Sequence, residues 1–251
     1  MMEKVLLVGG WEKLKSAEIY DPKTKKFYLT GNLNIGRDHH TATLLNDATI
    51  LITGGTYLKK LEHYKNLSVN RPLKSAEIYH LDSGKFEKID GMNIPRNGHT
   101  ATLLNDGTVL IIGGKGETEY IREAELYNPK SKTFKIIGKT NSTYYVDPAV
   151  PLNDGRVLLI ADKKTNAEIY NPETGQFKLI SKPFERHSMG TFTILNDGKV
   201  LIVGGTGLGK SSNHKIAEIF DPKTETFTLT GELNIGRSLH TASLLPDARL
   251  V

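Results

Sequence analysis

The sequence contains no cysteine among its 251 residues. Disulfide bonds, thiolate metal sites and cysteine nucleophiles are therefore excluded. No apolar run approaches the roughly 18 residues that a membrane-spanning helix needs, so we expect no membrane span. Tryptophan occurs once, and hydrophobic residues make up 38% of the chain, which is typical of a globular protein.

A strong excess of one charge is also missing, since the formal net charge is +5. A nucleic-acid partner would need positive charge gathered on one face, and we expect none. The N-terminal stretch MMEKVLLVGG is too short for a signal peptide, and its GG belongs to a repeated pattern. The compartment stays open: the protein is cytoplasmic, or it is secreted and its targeting segment is not in this sequence.

A repeated unit is the main feature that the sequence does contain. An apolar run ending in a small pair occurs at Val5–Gly10, Ile50–Gly55, Val109–Gly114 and Val200–Gly205, and in altered form at Val157–Asp162. An Ala-Glu-aliphatic-aromatic segment begins at Ala17, Ala76, Ala124, Ala167 and Ala217, and a Phe follows its aromatic residue by 7 positions each time. Tyr20 and Phe220 are 200 residues apart over four steps, which gives a mean period of 50.

Each unit is predicted to contain four strands, A to D. Strand A resembles HTATLL, and an Asn-Asp-Gly or Asn-Asp-Ala turn leads into the apolar strand B, which we expect to be buried on both faces. Strand C is the AEIY segment, and strand D carries the Phe. The D–A link has a constant length, as from Phe27 to His40, whereas the B–C link varies, so we expect fixed packing between units and variable surface loops.

This pattern resembles the kelch repeat, over all 251 residues. The resemblance implies an all-β fold, a β-propeller of four-stranded antiparallel blades, with five kelch-type repeats in a single domain spanning 1–251. Kelch propellers more often have six or seven blades, so we expect a piece of a longer protein, cut within a strand at ARLV (Ala248–Val251). The alternative is a five-bladed ring, closed by strand A at His240–Leu245 joining the sheet that begins at Val5.

A repeated R-x-x-H motif provides the first candidate ligand site. It occurs as Arg37/His40, Arg96/His99 and Arg237/His240, with an irregular Arg186/His187 in the fourth unit. These side chains are predicted to surround one mouth of the propeller channel, where a cationic ring would bind an anionic ligand. The other interpretation is structural: each Arg and His would cap backbone carbonyls and fix the contact between blades. The repetition of the motif in step with the fold favours this structural role, and the two roles can coexist.

Two other chemistries at these positions are disfavoured. Histidines on separate blades lie too far apart for the roughly 2 Å bonds of a metal site, so we expect no metal and no cofactor. The segment Gly204–Ser211 (GGTGLGKS) fits a phosphate-binding loop, but a strand rather than a helix follows it. Its first two glycines belong to the repeat.

The B–C links provide a second, surface-loop candidate site. It comprises Trp11, Tyr57, Lys59, Lys60 and Tyr64. Basic and aromatic residues on a loop suit contact with a protein or a glycan, or they belong to an insertion without a role. In the deviant fourth unit, Asp147 and Asp162 break the repeat, through function or through drift.

We therefore predict a monomeric kelch-like propeller that binds a protein or an anionic or glycan ligand, and not an enzyme. The alternative is a carbohydrate-active enzyme of the sugar-acid epimerase or oxidase type. Such an enzyme needs an acid–base pair in the channel mouth, and no carboxylate is placed systematically beside the R-x-x-H positions.

Overall fold

The computed structural model describes residues 4–60, 68–161, 166–206 and 213–245. The chain divides into two compact units, Met1–Ile137 and Gly138–Val251. The fold is all-β, as predicted: the described regular structure is strands apart from one three-residue 3₁₀ segment, Trp11–Lys13. Within these described ranges, no helix is long and apolar enough to cross a membrane.

In the described part of the first unit there are three antiparallel sheets of three or four strands and one two-stranded hairpin. Sheet I has the order β1 (Val5–Val8), β2 (Ala17–Asp21), β3 (Lys26–Leu29). Sheet II has the order β4 (Thr41–Leu44), β5 (Ile50–Thr53), β8 (Ala76–His80), β9 (Lys85–Ile89), and the hairpin of β6 (Thr56–Lys60) and β7 (Ser68–Pro72) is inserted in its B–C link. Sheet III has the order β10 (Asn97–Leu103), β11 (Val109–Lys115), β12 (Glu123–Asn128), β13 (Thr133–Lys139).

The second unit contains two further four-stranded antiparallel sheets. Sheet IV has the order β14 (Ala149–Pro151), β15 (Val157–Leu159), β16 (Glu168–Asn171), β17 (Gln176–Leu179). Sheet V has the order β18 (Thr191–Ile194), β19 (Val200–Val203), β20 (Ala217–Asp221), β21 (Thr226–Leu229). Sheets II to V therefore follow the predicted order A–B–C–D, while sheet I consists of B, C and D.

The turn and the cross-strand aromatic pair that the repeat predicted are both present in the sheets. The Asn-Asp-Gly turn closes by a bond from the Leu104 N–H to the Thr108 carbonyl at 2.8 Å. The spaced aromatic residues lie directly opposite each other on strands C and D, as Tyr79 and Phe86 do, with ring centroids 4.8 Å apart. The same pair occurs in all five sheets at 4.8–4.9 Å.

Strand B forms the apolar core, with one exception. In sheet III, residues 109–114 are buried without interruption, because neighbouring strands cover both edges and side chains cover both faces. The core of the first unit joins Leu51 and Ile78 to Val109 and Ile111, and that of the second joins Leu158 to Val200 and Ile202. The exception is β1, whose Val5 and Leu7 are exposed, and which pairs with β2 alone among the described residues.

The copy of strand A predicted at His240–Leu245 is not a strand in the described part. Residues 241–245 belong to none of the five sheets and contain one isolated bridge residue, Leu244. No sheet among the described residues closes on itself. The ARLV segment lies outside the described residues. The predicted closure of a five-membered ring by a full strand is therefore not observed.

Candidate functional site

The first two arginines of the R-x-x-H motif are buried rather than presented to solvent. Arg37 and Arg96 are both 0% exposed. Arg37 Nη2 lies 2.7 Å from Glu77 Oε1, and Arg96 Nη2 lies 2.8 Å from Glu125 Oε1. Each guanidinium also donates from Nη1 to a glycine carbonyl 2.9 Å away. Burial lowers the pKa of both arginines.

The arginine partner is the glutamate of the AEIY segment, which lies at the centre of a cluster that we call the carboxylate node. Asn34 donates to Glu77 Oε2 from its backbone N–H and from Nδ2, each at 2.8 Å. The Ile35 N–H donates to Oε1 at 3.3 Å. Glu125 accepts the equivalent three bonds in sheet III. Because both node carboxylates are buried, these charge-assisted bonds satisfy groups that would otherwise be costly to bury.

The expectation that no carboxylate lies systematically beside the R-x-x-H positions is therefore wrong. Glu77 is 40 residues from Arg37 along the chain, and only the packing of a D–A link against the next sheet brings the two together. The node ties successive sheets together, so the structural role that the sequence left open is the one these two arginines have.

The second unit keeps the node but changes the residue that faces the glutamate. The Tyr144 hydroxyl donates to Glu168 Oε1 at 2.8 Å, and His187 Nε2 lies 2.9 Å from Glu218 Oε1. Tyr144 and His187 each follow the strand-D Phe by 10 residues, as the two buried arginines do. This count corrects the irregular motif of the fourth unit: His187 occupies the arginine position, and Arg186 is the half-buried residue before it.

Three histidines of the motif, His40, His99 and His240, have a pKa that burial lowers. His99 Nε2 lies 2.9 Å from Thr53 Oγ1 and 3.1 Å from Thr41 Oγ1, and burial lowers the pKa of His99 to about 3. Burial likewise lowers the pKa of His40 to about 4 and lowers the pKa of His240. Neutral histidines do not contribute to a cationic ring at neutral pH.

Arg237 differs from the other two arginines because it is exposed. Its Nε donates to the Ile235 carbonyl at 3.4 Å. Of the eight residues predicted at the channel mouth, the structure therefore buries Arg37, Arg96, His99 and His187, half-buries His40, Arg186 and His240, and leaves Arg237 open to solvent. Within the described ranges, no three His, Asp or Glu side chains are grouped so that they could hold a metal ion.

In the predicted surface-loop site, Trp11 is 79% exposed, unlike the buried arginines of the R-x-x-H motif. Lys13 Nζ lies 5.8 Å from the centre of the Trp11 ring, within reach of a cation–π interaction. Lys13 is itself fixed by an ion pair with the buried Asp38, which also accepts a bond from Thr56 Oγ1. His39 Nδ1 lies 3.1 Å from Asp38 Oδ1, and its side chain is 46% exposed.

The backbone that presents Trp11 is strained. Glu12 has φ 65° and Lys13 has φ 59°, a left-handed conformation that costs a residue with a Cβ about 1 kcal/mol or more. The ion pair between Lys13 and Asp38 helps to hold this conformation. Strain that the surroundings maintain around an exposed aromatic residue favours a functional hypothesis for Trp11.

Each B–C link of the first unit carries such an aromatic residue. Tyr57 lies half-buried on β6, and Tyr120 is 49% exposed with Lys115 Nζ 5.8 Å from its ring centre. We call Trp11, Tyr57 and Tyr120 the aromatic loop face. Tyr120 was not among the residues predicted from the sequence, although it follows the small pair of its unit as Trp11 and Tyr57 do, and this position is a signal that could have identified it.

The three links that carry these residues contact one another. The 3₁₀ segment lies against β6, and the backbones of Asp38 and Thr56 exchange hydrogen bonds at 2.8 and 3.2 Å. On the other side of the hairpin, Arg71 Nη1 lies 3.3 Å from Glu117 Oε2 in the third link. The other three residues of the predicted loop site add no contact to this description. Lys59 is exposed on β6, Lys60 is the last residue of that strand, and Tyr64 lies outside the described residues.

The remaining sequence candidates lie in the second unit. Asp147 is 5% exposed, accepts a bond from the Tyr145 N–H at 3.2 Å, and has its pKa raised to about 6 by burial. Asp162 lies outside the described residues. In the segment resembling a phosphate loop, Gly204 and Gly205 form the turn after β19 and the next described strand is β20, while residues 207–212 lie outside the described part.

Comparisons with known proteins support the fold alone. No protein-family model matches the chain, and no curated protein matches its sequence. The chain is similar to the solved structure of YjhT, with a TM-score of 0.73 over 97% of this chain and 85% of that one, at 13% sequence identity. At this identity the similarity shows that the two share an all-β fold and says nothing about a shared ligand or activity.

Proposed function

We propose that this protein is a kelch-like β-propeller that serves as a ligand-binding module, and that a glycan binds at the aromatic loop face. The four-stranded sheets in A–B–C–D order, repeated with one node and one Tyr–Phe or Phe–Phe pair each, support the propeller. The binding role rests on one observation, the exposed Trp11. The loop that carries it has a strained backbone, and Lys13 of this loop is held by an ion pair with Asp38.

The chemistry of the face suits a sugar better than an apolar ligand. Pyranose rings present C–H groups that pack flat against an aromatic ring, and their hydroxyl groups need polar partners at the edge of that ring. Lys13 provides such a partner beside Trp11, and Lys115 provides one beside Tyr120. Aromatic residues on a rigid base are also the residue type that contributes most to binding energy in ligand sites.

The single tryptophan makes this proposal directly testable. Because Trp11 is the only tryptophan, any change in tryptophan fluorescence reports on this site. Titration with neutral and acidic oligosaccharides is expected to shift the emission to the blue as a sugar covers the ring. In a calorimetric titration, Trp11→Ala should weaken binding by about tenfold or more, as expected for a central aromatic contact.

Tyr28→Ala serves as the matched control, because Tyr28 is an exposed aromatic residue on β3 and not on a B–C link. Its affinity for the same sugar should equal that of the wild type. Equal affinity of Trp11→Ala and wild type for every sugar that binds would overturn the proposal. Binding of acidic peptides but of no glycan would assign the face to a protein partner instead.

A second candidate function rests on Asp147. This carboxyl occupies the position of His40 and His99 in the repeat, and burial raises its pKa to about 6, close to the value that a general acid or base needs. A sugar-acid epimerase or oxidase of this type would lose activity in Asp147→Asn while its glycan affinity stays unchanged. Absence of turnover with a panel of sugar acids would remove this candidate.

A further inference from the structure

Two ion pairs hold the links of the aromatic loop face against one another. The first pair is Lys13 with Asp38, and Lys13 Nζ lies 5.8 Å from the ring centre of Trp11. The same carboxylate accepts a bond from Thr56 Oγ1, and Thr56 directly precedes Tyr57 on β6. Because Asp38 is buried, these charge-assisted bonds are shielded from water, and one carboxylate holds the loop of Trp11 against the strand of Tyr57.

The second ion pair joins the β6–β7 hairpin to the link that carries Tyr120. Tyr57 lies directly opposite Arg71 across the hairpin. Arg71 Nη1 lies 3.3 Å from Glu117 Oε2, in the short loop that leads to Tyr120. This loop is closed by an antiparallel bridge between Lys115 and Tyr120. The three aromatic residues therefore lie on segments that hold one another in place, and not on independent loops.

The two ends of this series have the same local chemistry, an aromatic ring with a lysine beside it. The distance from Nζ to the ring centre is 5.8 Å in the pair Lys13–Trp11 and again in the pair Lys115–Tyr120. Trp11 is 79% exposed and Tyr120 is 49% exposed, so part of each ring faces solvent. Two rings with one local chemistry are suited to two units of the same kind, as a sugar chain provides.

The three links belong to successive sheets, and this sets the length of a ligand that can reach all of them. Trp11 follows β1 of sheet I, Tyr57 follows β5 of sheet II, and Tyr120 follows β11 of sheet III. Packed sheets lie about 10 Å apart. A single sugar ring therefore reaches one of these aromatic residues and not both ends of the series, whereas a chain of several sugar units can contact all three.

We infer that the aromatic loop face binds one extended oligosaccharide chain, with Trp11, Tyr57 and Tyr120 in contact with successive parts of it. This inference rests on the proposed function and adds the class of glycan to it. Once one unit is bound, the next units meet their rings at a high effective concentration, so affinity rises with chain length. The ion pairs between the links reduce the ordering that binding of a long chain requires.

The dependence of affinity on chain length tests the inference. The full chain is titrated in a calorimeter with oligosaccharides from cellulose, chitin and pectin, each series running from the monosaccharide to the hexasaccharide. In the series that binds, the hexasaccharide should bind about 100-fold more tightly than the shortest ligand that shifts Trp11 fluorescence. Tyr120→Ala should weaken binding of the hexasaccharide by about tenfold and leave the affinity of that shortest ligand unchanged, whereas Trp11→Ala should weaken both.

Tyr28→Ala is again the matched control and should bind ligands of every length like the wild type, and circular dichroism checks that each variant is folded. A rise in affinity no larger than the number of units in the chain would mean that a single ring meets any one unit. That result, or a Tyr120→Ala variant that binds the hexasaccharide like the wild type, overturns the inference and leaves Trp11 as a sugar site. If no sugar of any length binds, the proposed function fails, and this inference fails with it.

Discussion

Replacement of Arg96 by alanine is the most direct measure of what the carboxylate node contributes. Arg96→Ala leaves the Glu125 carboxylate buried without its counter-charge. It also removes the donor to the carbonyls of Gly113 and Glu123, which lie 2.9 and 3.0 Å from Nη1. Three N–H donors from Asn93 and Ile94 remain on the carboxylate, so part of its solvation survives.

The expected cost follows from these contacts. Removal of one partner of a buried ion pair costs about 3 to 5 kcal/mol, against a total stability of about 5 to 15 kcal/mol for a domain. For a chain of this size, that loss corresponds to a fall in melting temperature of about 6 to 20 °C. Urea unfolding followed by circular dichroism measures the free energy, and hydrogen exchange shows whether the loss is local to β10–β12.

Arg237→Ala is the matched control, since it belongs to the same motif but is exposed. It should change the free energy of unfolding by no more than about 0.5 kcal/mol. A cycle that combines Arg96→Ala with Glu125→Gln should give a coupling energy of at least about 1 kcal/mol. Similar losses in Arg96→Ala and Arg237→Ala, each below about 1 kcal/mol, would refute the structural role of the node.

Buried groups and one close approach provide three more tests. The pKa of His99 is about 3 in the folded state and 6.5 in the unfolded state, so only the unfolded state gains this proton as the pH falls from 6.5 towards 3. Urea unfolding at a series of pH values should therefore show the free energy of unfolding falling by about 1.4 kcal/mol per pH unit in this range. The variant His99→Gln should lack this loss. Asp147 has the opposite sense: its raised pKa of about 6 destabilises the fold as pH rises from 3.8 through 6, so Asp147→Asn should raise the melting temperature at pH 8 and not at about pH 3.5. Gly54 has φ +59°, and Gly54→Ala would place a Cβ 2.5 Å from the Arg96 carbonyl oxygen. This substitution should lower the free energy of unfolding in urea by about 3 kcal/mol or more. The control Gly175→Ala, at φ +68° with open space around it, should lower it by about 1 to 2 kcal/mol.

The strands and turns were predictable because their determinants are local. A continuous apolar run marks strand B, an Asp-Gly pair marks the turn before it, and the aromatic spacing of 7 puts Tyr79 opposite Phe86 across one tight turn. Each signal acts within a few residues along the chain. Repetition of the unit then made each single assignment more secure, since the same pattern is tested in every copy.

The carboxylate node could not be predicted from local sequence patterns, because its two halves lie far apart along the chain. One constant spacing in the sequence nevertheless indicates its donor residue. The residue 10 positions after a strand-D Phe faces each filled node, and this offset would have aligned Tyr144 and His187 with Arg37. A search centred on the R-x-x-H letters could not find it, because a tyrosine and a histidine replace the arginine in the second unit. The glutamate itself gives no sign in the sequence that it is buried.

By itself, the sequence determined the all-β class, the four-strand unit and the placement of Trp11 and Tyr57 in B–C links, because periodicity and turn chemistry are properties of neighbouring residues. Only the tertiary structure decided which of the repeated cations meet solvent. Arg96 and Arg237 have the same motif, yet one is enclosed by the glutamate of the next sheet and the other is exposed. The difference arises because burial depends on the packing partner, which a motif along the chain does not specify.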